Sequence, residues 1–139
     1  MPQVHVGSEK SALDPFYRYK RPLIETKLHG KKPMQKTSLT NLDEVSHGLG
    51  RSSAALLKYL GYTLAAAVNT KQQWIQGSVT VSQLEEAISK FTAELVLCET
   101  CELPELDIKV RKAYVKFKCR ACGAKYKKSL TYPRLLKFL

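Results

Sequence analysis

The sequence predicts an α+β fold: a small α/β domain with a helix-turn-helix-like pair, followed by a four-cysteine zinc ribbon. Three observations carry this. A long helix-periodic run lies near residues 81–94. Short alternating runs bounded by Gly and Pro flank it on both sides. Every cysteine of the 139-residue chain falls in one of two pairs, Cys98-x-x-Cys101 and Cys119-x-x-Cys122.

Residues 1–13 read as a flexible lead-in. Phe16-Tyr17-Arg18-Tyr19-Lys20-Arg21-Pro22 then packs three aromatics among three cations. Leu23 to Leu28 alternates apolar and polar and predicts a half-buried strand. His29-Gly30-Lys31-Lys32-Pro33 is a basic turn, and Lys36 to Leu39 a short return strand. Asn41 is placed as the N-cap of a helix with Glu44 three residues on. That helix ends near Gly48 or Gly50. Ser52 or Ser53 caps a second, Ala54 to Leu60, with Gly61 as its stop. So brief a join suggests a helix-turn-helix-like pair. Leu42, Val45, Leu49, Leu56, Leu57 and Leu60 face the core.

Tyr62 to Val68 and Trp74 to Val79 read as strands joined by the polar turn Asn69–Gln73, with Trp74 in the core. Thr80 with Gln83 matches a capping box. The helix after it sets Leu84, Ala87, Ile88, Phe91 and Leu95 on one face, at spacings of three and four. Leu106–Val110 and Tyr114–Lys118 alternate as paired strands, and Lys125–Leu130 is a last one. The expected division is therefore 14–95 for the α/β domain and 96–139 for the ribbon and its basic end.

Seventeen residues separate Cys101 from Cys119. A C-x-x-C turn aims two thiolates at one ion, and a hairpin of this length brings the second pair opposite. Four sulfurs close a tetrahedral Zn2+ with no open position, so the expected site is structural, one ion per chain. Redox use of C-x-x-C and an iron–sulfur cluster are the competing chemistries, and two symmetric pairs disfavour both. So short a module buries too little apolar surface to fold alone, and metal binding then supplies folding free energy. A nearby Arg120 or Lys118 is expected to offset the charge of four thiolates.

The formal charge is +11, from 23 Lys+Arg against 12 Asp+Glu. A charge run is ordinarily a solvated face. Here residues 109–139 hold eleven Lys and Arg and no Asp or Glu. That excess points to a polyanionic partner, most often nucleic acid. Nothing approaches the roughly 18–20 apolar residues of a membrane helix, and Met1–Lys10 has no signal-like apolar run. The expectation is a cytosolic or nuclear protein without membrane contact. His5, His29 and His47 are scattered, and no P-loop, G-x-G-x-x-G or nucleophile elbow is present. The residues favour a binding module over an enzyme. Arg18, between aromatics, has cation–π stacking as its ordinary role.

Asp14-Pro15-Phe16-Tyr17-Arg18-Tyr19-Lys20-Arg21-Pro22 closely resembles the opening of eukaryotic translation initiation factor 5. The order of the later segments resembles that family too: a basic loop, Asn41-Leu42-Asp43-Glu44-Val45, a second helix, two strands, the helix through Phe91, and Leu95-Val96-Leu97-Cys98 leading into the ribbon. The resemblance spans about residues 14–126. The beta subunit of initiation factor 2 shares the plan, and the Phe-Tyr-Arg-Tyr-Lys segment separates the two.

The resemblance implies a cytoplasmic factor without an active site of its own. It would stimulate GTP hydrolysis by initiation factor 2, meeting that factor's gamma and beta subunits, and take part in start-codon recognition. Small-subunit rRNA, and initiator tRNA with mRNA at the P site, would be its other partners. The family's essential arginine falls on Arg18 and two supporting lysines on Lys36 and Lys58. Lys27, His29, Gly30, Lys31 and Lys32 fall on the loop that approaches codon and anticodon. The basic loop and ribbon surface would then hold RNA phosphates.

The chain departs from the family at Gly30–Met34, where the family is Gly-rich, and at Ser52-Ser53-Ala54, where it has prolines. It is also expected to lack the family's C-terminal helical-repeat domain. The alternatives are a beta-subunit-like core of initiation factor 2, or a zinc-ribbon RNA-binding protein of the ribosome or transcription machinery.

Overall fold

A computed structural model describes residues 3–5, 20–31, 33–101, 103–129 and 135. It is α+β, and antiparallel throughout its sheets. β1 (Gln3–His5) pairs with β2 (Lys20–Pro22), Gln3 opposite Pro22. β3 (Thr26–His29), β4 (Lys36–Leu39), β5 (Val68–Asn69) and β6 (Trp74–Gln76) form a four-stranded sheet ordered β3-β4-β6-β5. α1 (Leu42–Leu49) and α2 (Ser53–Leu64) are the expected pair, and α3 (Val81–Leu95) is the long amphipathic helix. β7 (Leu106–Val110), β8 (Val115–Cys119) and β9 (Lys125–Lys128) make the ribbon sheet. The expected Leu130 end of that last strand lies outside the described residues.

The capping box at Thr80 and Gln83 is present in both directions. Ser52 caps α2 by accepting from the Ala55 N–H at 3.1 Å. Asn41 does not cap α1 through its side chain. Its Nδ2 donates to Leu23 O and its Oδ1 accepts from Glu25 N, both at 2.8 Å. The Glu85 carboxylate likewise takes the Ile24 N–H at 2.9 Å. These side chains satisfy the backbone of residues 23–25, so the strand starts at Thr26 and not at Leu23.

Gly61 does not stop the second helix, which runs on to Leu64 and absorbs most of the expected 62–68 strand. The glycine serves closeness instead. A Cβ there would stand 2.7 Å from Val68 Cγ1 and 3.0 Å from Ala66 O. The turn comes at Ala65, with φ of 52°. Trp74 is half-buried, with Lys36 Nζ 4.4 Å from its ring centroid and its Nε1 donating to Gln72.

One apolar cluster runs from Ile24 and Leu39 through all three helices to Leu106, Val115 and Phe117 of the ribbon sheet. Arg51 reinforces that junction. Its guanidinium donates to Leu95 O at 2.7 and 3.0 Å and to Leu106 O at 3.0 Å, tying the end of α3 to the start of β7. Burial pulls Arg51 down to about 10, against the attraction of Asp107 and helped by repulsion from Arg120. It stays cationic at neutral pH.

Candidate metal centre and basic surfaces

The two C-x-x-C turns are built alike. The Cys98 N–H bonds Leu103 O at 3.0 Å, and the Cys119 N–H bonds Ala124 O at 2.9 Å, so each loop closes at the same offset. Inside each loop an N–H aims at sulfur: Thr100 N at Cys98 Sγ, 3.4 Å, and Cys122 N at Cys119 Sγ, 3.5 Å. Such donors favour thiolate over thiol.

The sulfurs pair across the loops, Cys98 to Cys122 and Cys101 to Cys119, each at 3.6 Å. All four lie within 4.8 Å of one another. A tetrahedron of sulfurs about 2.3 Å from a central ion has edges of about 3.8 Å, so the four cysteines can hold a metal ion. Cys98 and Cys119 are buried and Cys122 is exposed. Burial pushes the Cys101 thiol up to about 12. It also raises Cys98, but the Cys101 and Thr100 N–H groups and the neighbouring thiols bring that group down to about 7. Crowded thiols ionise unequally, and a cation that neutralises them removes the conflict.

Arg120 does not serve the sulfurs as expected. Its guanidinium pairs with Asp107 at 3.4 Å and Glu105 at 3.8 Å. Sequence reasoning also missed Tyr126. Its ring stacks on Phe117 at 5.0 Å, and its hydroxyl oxygen accepts from Glu99 N in the first cysteine loop at 3.3 Å. Lys128 pairs with the Glu99 carboxylate at 3.0 Å. β9 thus braces the loop from the far strand. Its alternation was visible in the sequence, but not which partner each side chain meets.

The basic turn is exposed at Lys27, His29, Gly30 and Lys31. Gly30 has φ of +79°, and a Cβ on it would meet Met34 O at 2.8 Å, so both conformation and space require glycine. The β3–β4 register sets Lys36 directly opposite His29, which brings Lys36 to the root of the basic turn. Lys58 stands half-buried on α2, a different element. Arg18 and Lys32 lie outside the described residues.

A family model, for a domain found in initiation factors 2B and 5, matches residues 8–125. The chain belongs to that family. It is 35% identical to the eukaryotic translation initiation factor 5 of Caenorhabditis elegans over 121 residues, which is 84% of this chain and 28% of the relative. To the factor 5 of Dictyostelium discoideum it is 32% identical over 125 residues, 88% of this chain and 31% of the relative. To that of Saccharomyces cerevisiae it is 34% identical over 115 residues, 79% and 28%. The chain spans less than a third of the length of these relatives. No helix among the described residues is long and apolar enough to cross a membrane.

Proposed function

We propose that this chain is a translation initiation factor of the cytoplasm that stimulates GTP hydrolysis by initiation factor 2 on the small ribosomal subunit and takes part in start-codon recognition. The supporting observation is the match to the factor 5 relatives across residues 8–125, which includes the segment bearing Arg18. Phosphoryl transfer develops charge on the phosphate oxygens. A guanidinium supplied in trans stabilises it, by roughly 10³–10⁵ in rate in well-studied GTPases. Arg18 takes that role, with Lys36 and Lys58 in support. The factor completes the active site of its partner and has none of its own.

The metal is Zn2+. Four thiolates at tetrahedral separation suit it, and it stabilises the ribbon without taking part in chemistry. Lys27, His29, Gly30, Lys31 and Lys32 face rRNA, initiator tRNA or mRNA at the P site, and the gamma and beta subunits of initiation factor 2 are the protein partners. Measuring GTP hydrolysis by initiation factor 2, bound with initiator tRNA on small subunits, tests the proposal. Folded, metal-loaded chain that gave no stimulation would end it.

The family covers initiation factor 2B as well as factor 5, so a beta-subunit-like core is the second reading. A complex with the gamma subunit that survives gel filtration would favour it.

A further inference from the structure

We infer that the outer face of the β7–β8–β9 sheet is a docking surface for an RNA phosphate backbone. The register makes this face unusual. Lys109, Lys116 and Lys127 stand directly opposite one another across the three strands, and Asp107, Lys118 and Lys125 form the next row. All six are exposed, while Val115 and Phe117 on the reverse are buried. The six line an open hollow of about 610 Å³.

Like charges placed opposite one another destabilise a sheet. This face carries five lysines, and its one carboxylate, Asp107, is already engaged by Arg120 at 3.4 Å. Among the described residues none of the five makes an ion pair. Lys128, on the reverse of β9, does pair, with Glu99. The sequence from 109 to 139 contains no Asp or Glu to answer the charge. The neutralising group must therefore come from outside.

Strands about 4.8 Å apart and same-face residues about 6.7 Å apart along each strand give a fixed grid of cations. The cysteine loops at one end of the sheet hold that grid rigid. A protein partner needs an apolar or aromatic anchor at its centre, and none of the six side chains of the two rows supplies one. A phosphate backbone needs only matched charge. The choice of RNA among polyanions rests on the reading of this chain as a ribosome-bound factor.

The test is fluorescence anisotropy of the full 139-residue chain with labelled RNA of about 20 nucleotides, single-stranded and duplex, over a salt series. The variants are Lys116→Gln/Lys127→Gln and a control of equal charge, Lys71→Gln/Lys90→Gln. The face pair should lower the slope of log K against log salt by about 1.4 on the single strand, because two phosphates are no longer neutralised, and the control pair should leave it unchanged. Whichever RNA shows the larger drop in slope is the form the face holds. The inference is overturned if both pairs weaken binding equally, if the wild-type chain binds neither RNA, or if polyglutamate of matched charge competes as well as RNA. Hydrolysis of GTP does not enter this assay, so its failure and that of the activator reading are separable.

Discussion

Arg21 forks onto Glu85. Its two terminal nitrogens reach the two carboxylate oxygens at 2.6 and 3.2 Å, and the Arg21 residue is 3% exposed. The pair clamps β2 onto α3, and Glu85 takes the Ile24 N–H as well. Removing one member of a buried pair leaves the other charged and alone. Glu85→Ala is therefore expected to destabilise the fold by about 3 kcal/mol, at the low end for buried pairs because Glu85 is partly solvated. Urea unfolding followed by circular dichroism measures this, and an unchanged midpoint contradicts it.

Arg51 joins the two ends of the core by hydrogen bonds to Leu95 O and Leu106 O. Arg51→Lys keeps the charge but cannot span both carbonyls with one planar fork. About 2 kcal/mol of destabilisation is expected for the acceptor left short. The contribution of Arg51 should stay flat across neutral pH. Its folded value, about 10, and its ordinary 12.5 both lie above that range, so it is protonated in both states. A thermal melt series over pH checks both points.

Purified chain should hold one metal ion, and Cys119→Ser should lose it. Metal binding must displace protons, because Cys101 is held up at about 12 and keeps its proton at neutral pH until an ion arrives. Affinity should then fall as pH falls, by up to tenfold per pH unit for each thiol in competition. Chelator titration at two pH values reads the sign directly; an affinity that rose on acidification would contradict it.

Lys116 lies between Lys109 and Lys127 in one row. Lys116→Glu replaces two like-charge contacts with two opposite ones. Stability should rise by roughly 0.2–1 kcal/mol while RNA affinity falls. Few substitutions move those two quantities in opposite directions. If melting temperature and affinity fell together, the lysine row would be merely structural.

Local patterns in the sequence foretold the elements whose signals are local. The Thr80–Gln83 box, the α3 face from Leu84 to Leu95 and the strict alternation of β8 all depend on neighbours a few residues away, and all are present. The cysteine spacing foretold that four sulfurs would converge. Errors arose where a distant partner decides. Gly61 reads as a stop only until Val68 packs against it. Asn41 and Glu85 reach sixteen and sixty-one residues back along the chain to satisfy backbone N–H groups of residues 24 and 25. The Arg120 pairing with Asp107 and Glu105 depends on register, which spacing alone does not set.

The central claim is that Arg18 stimulates hydrolysis in trans. Single-turnover GTP hydrolysis by initiation factor 2, loaded with initiator tRNA on small subunits, tests it with wild-type chain beside Arg18→Ala. Circular dichroism and metal content serve as folding controls. The account predicts strong stimulation by wild type and a loss on the order of 10³-fold in the variant, with folding and metal intact. Equal stimulation by the two proteins would contradict it.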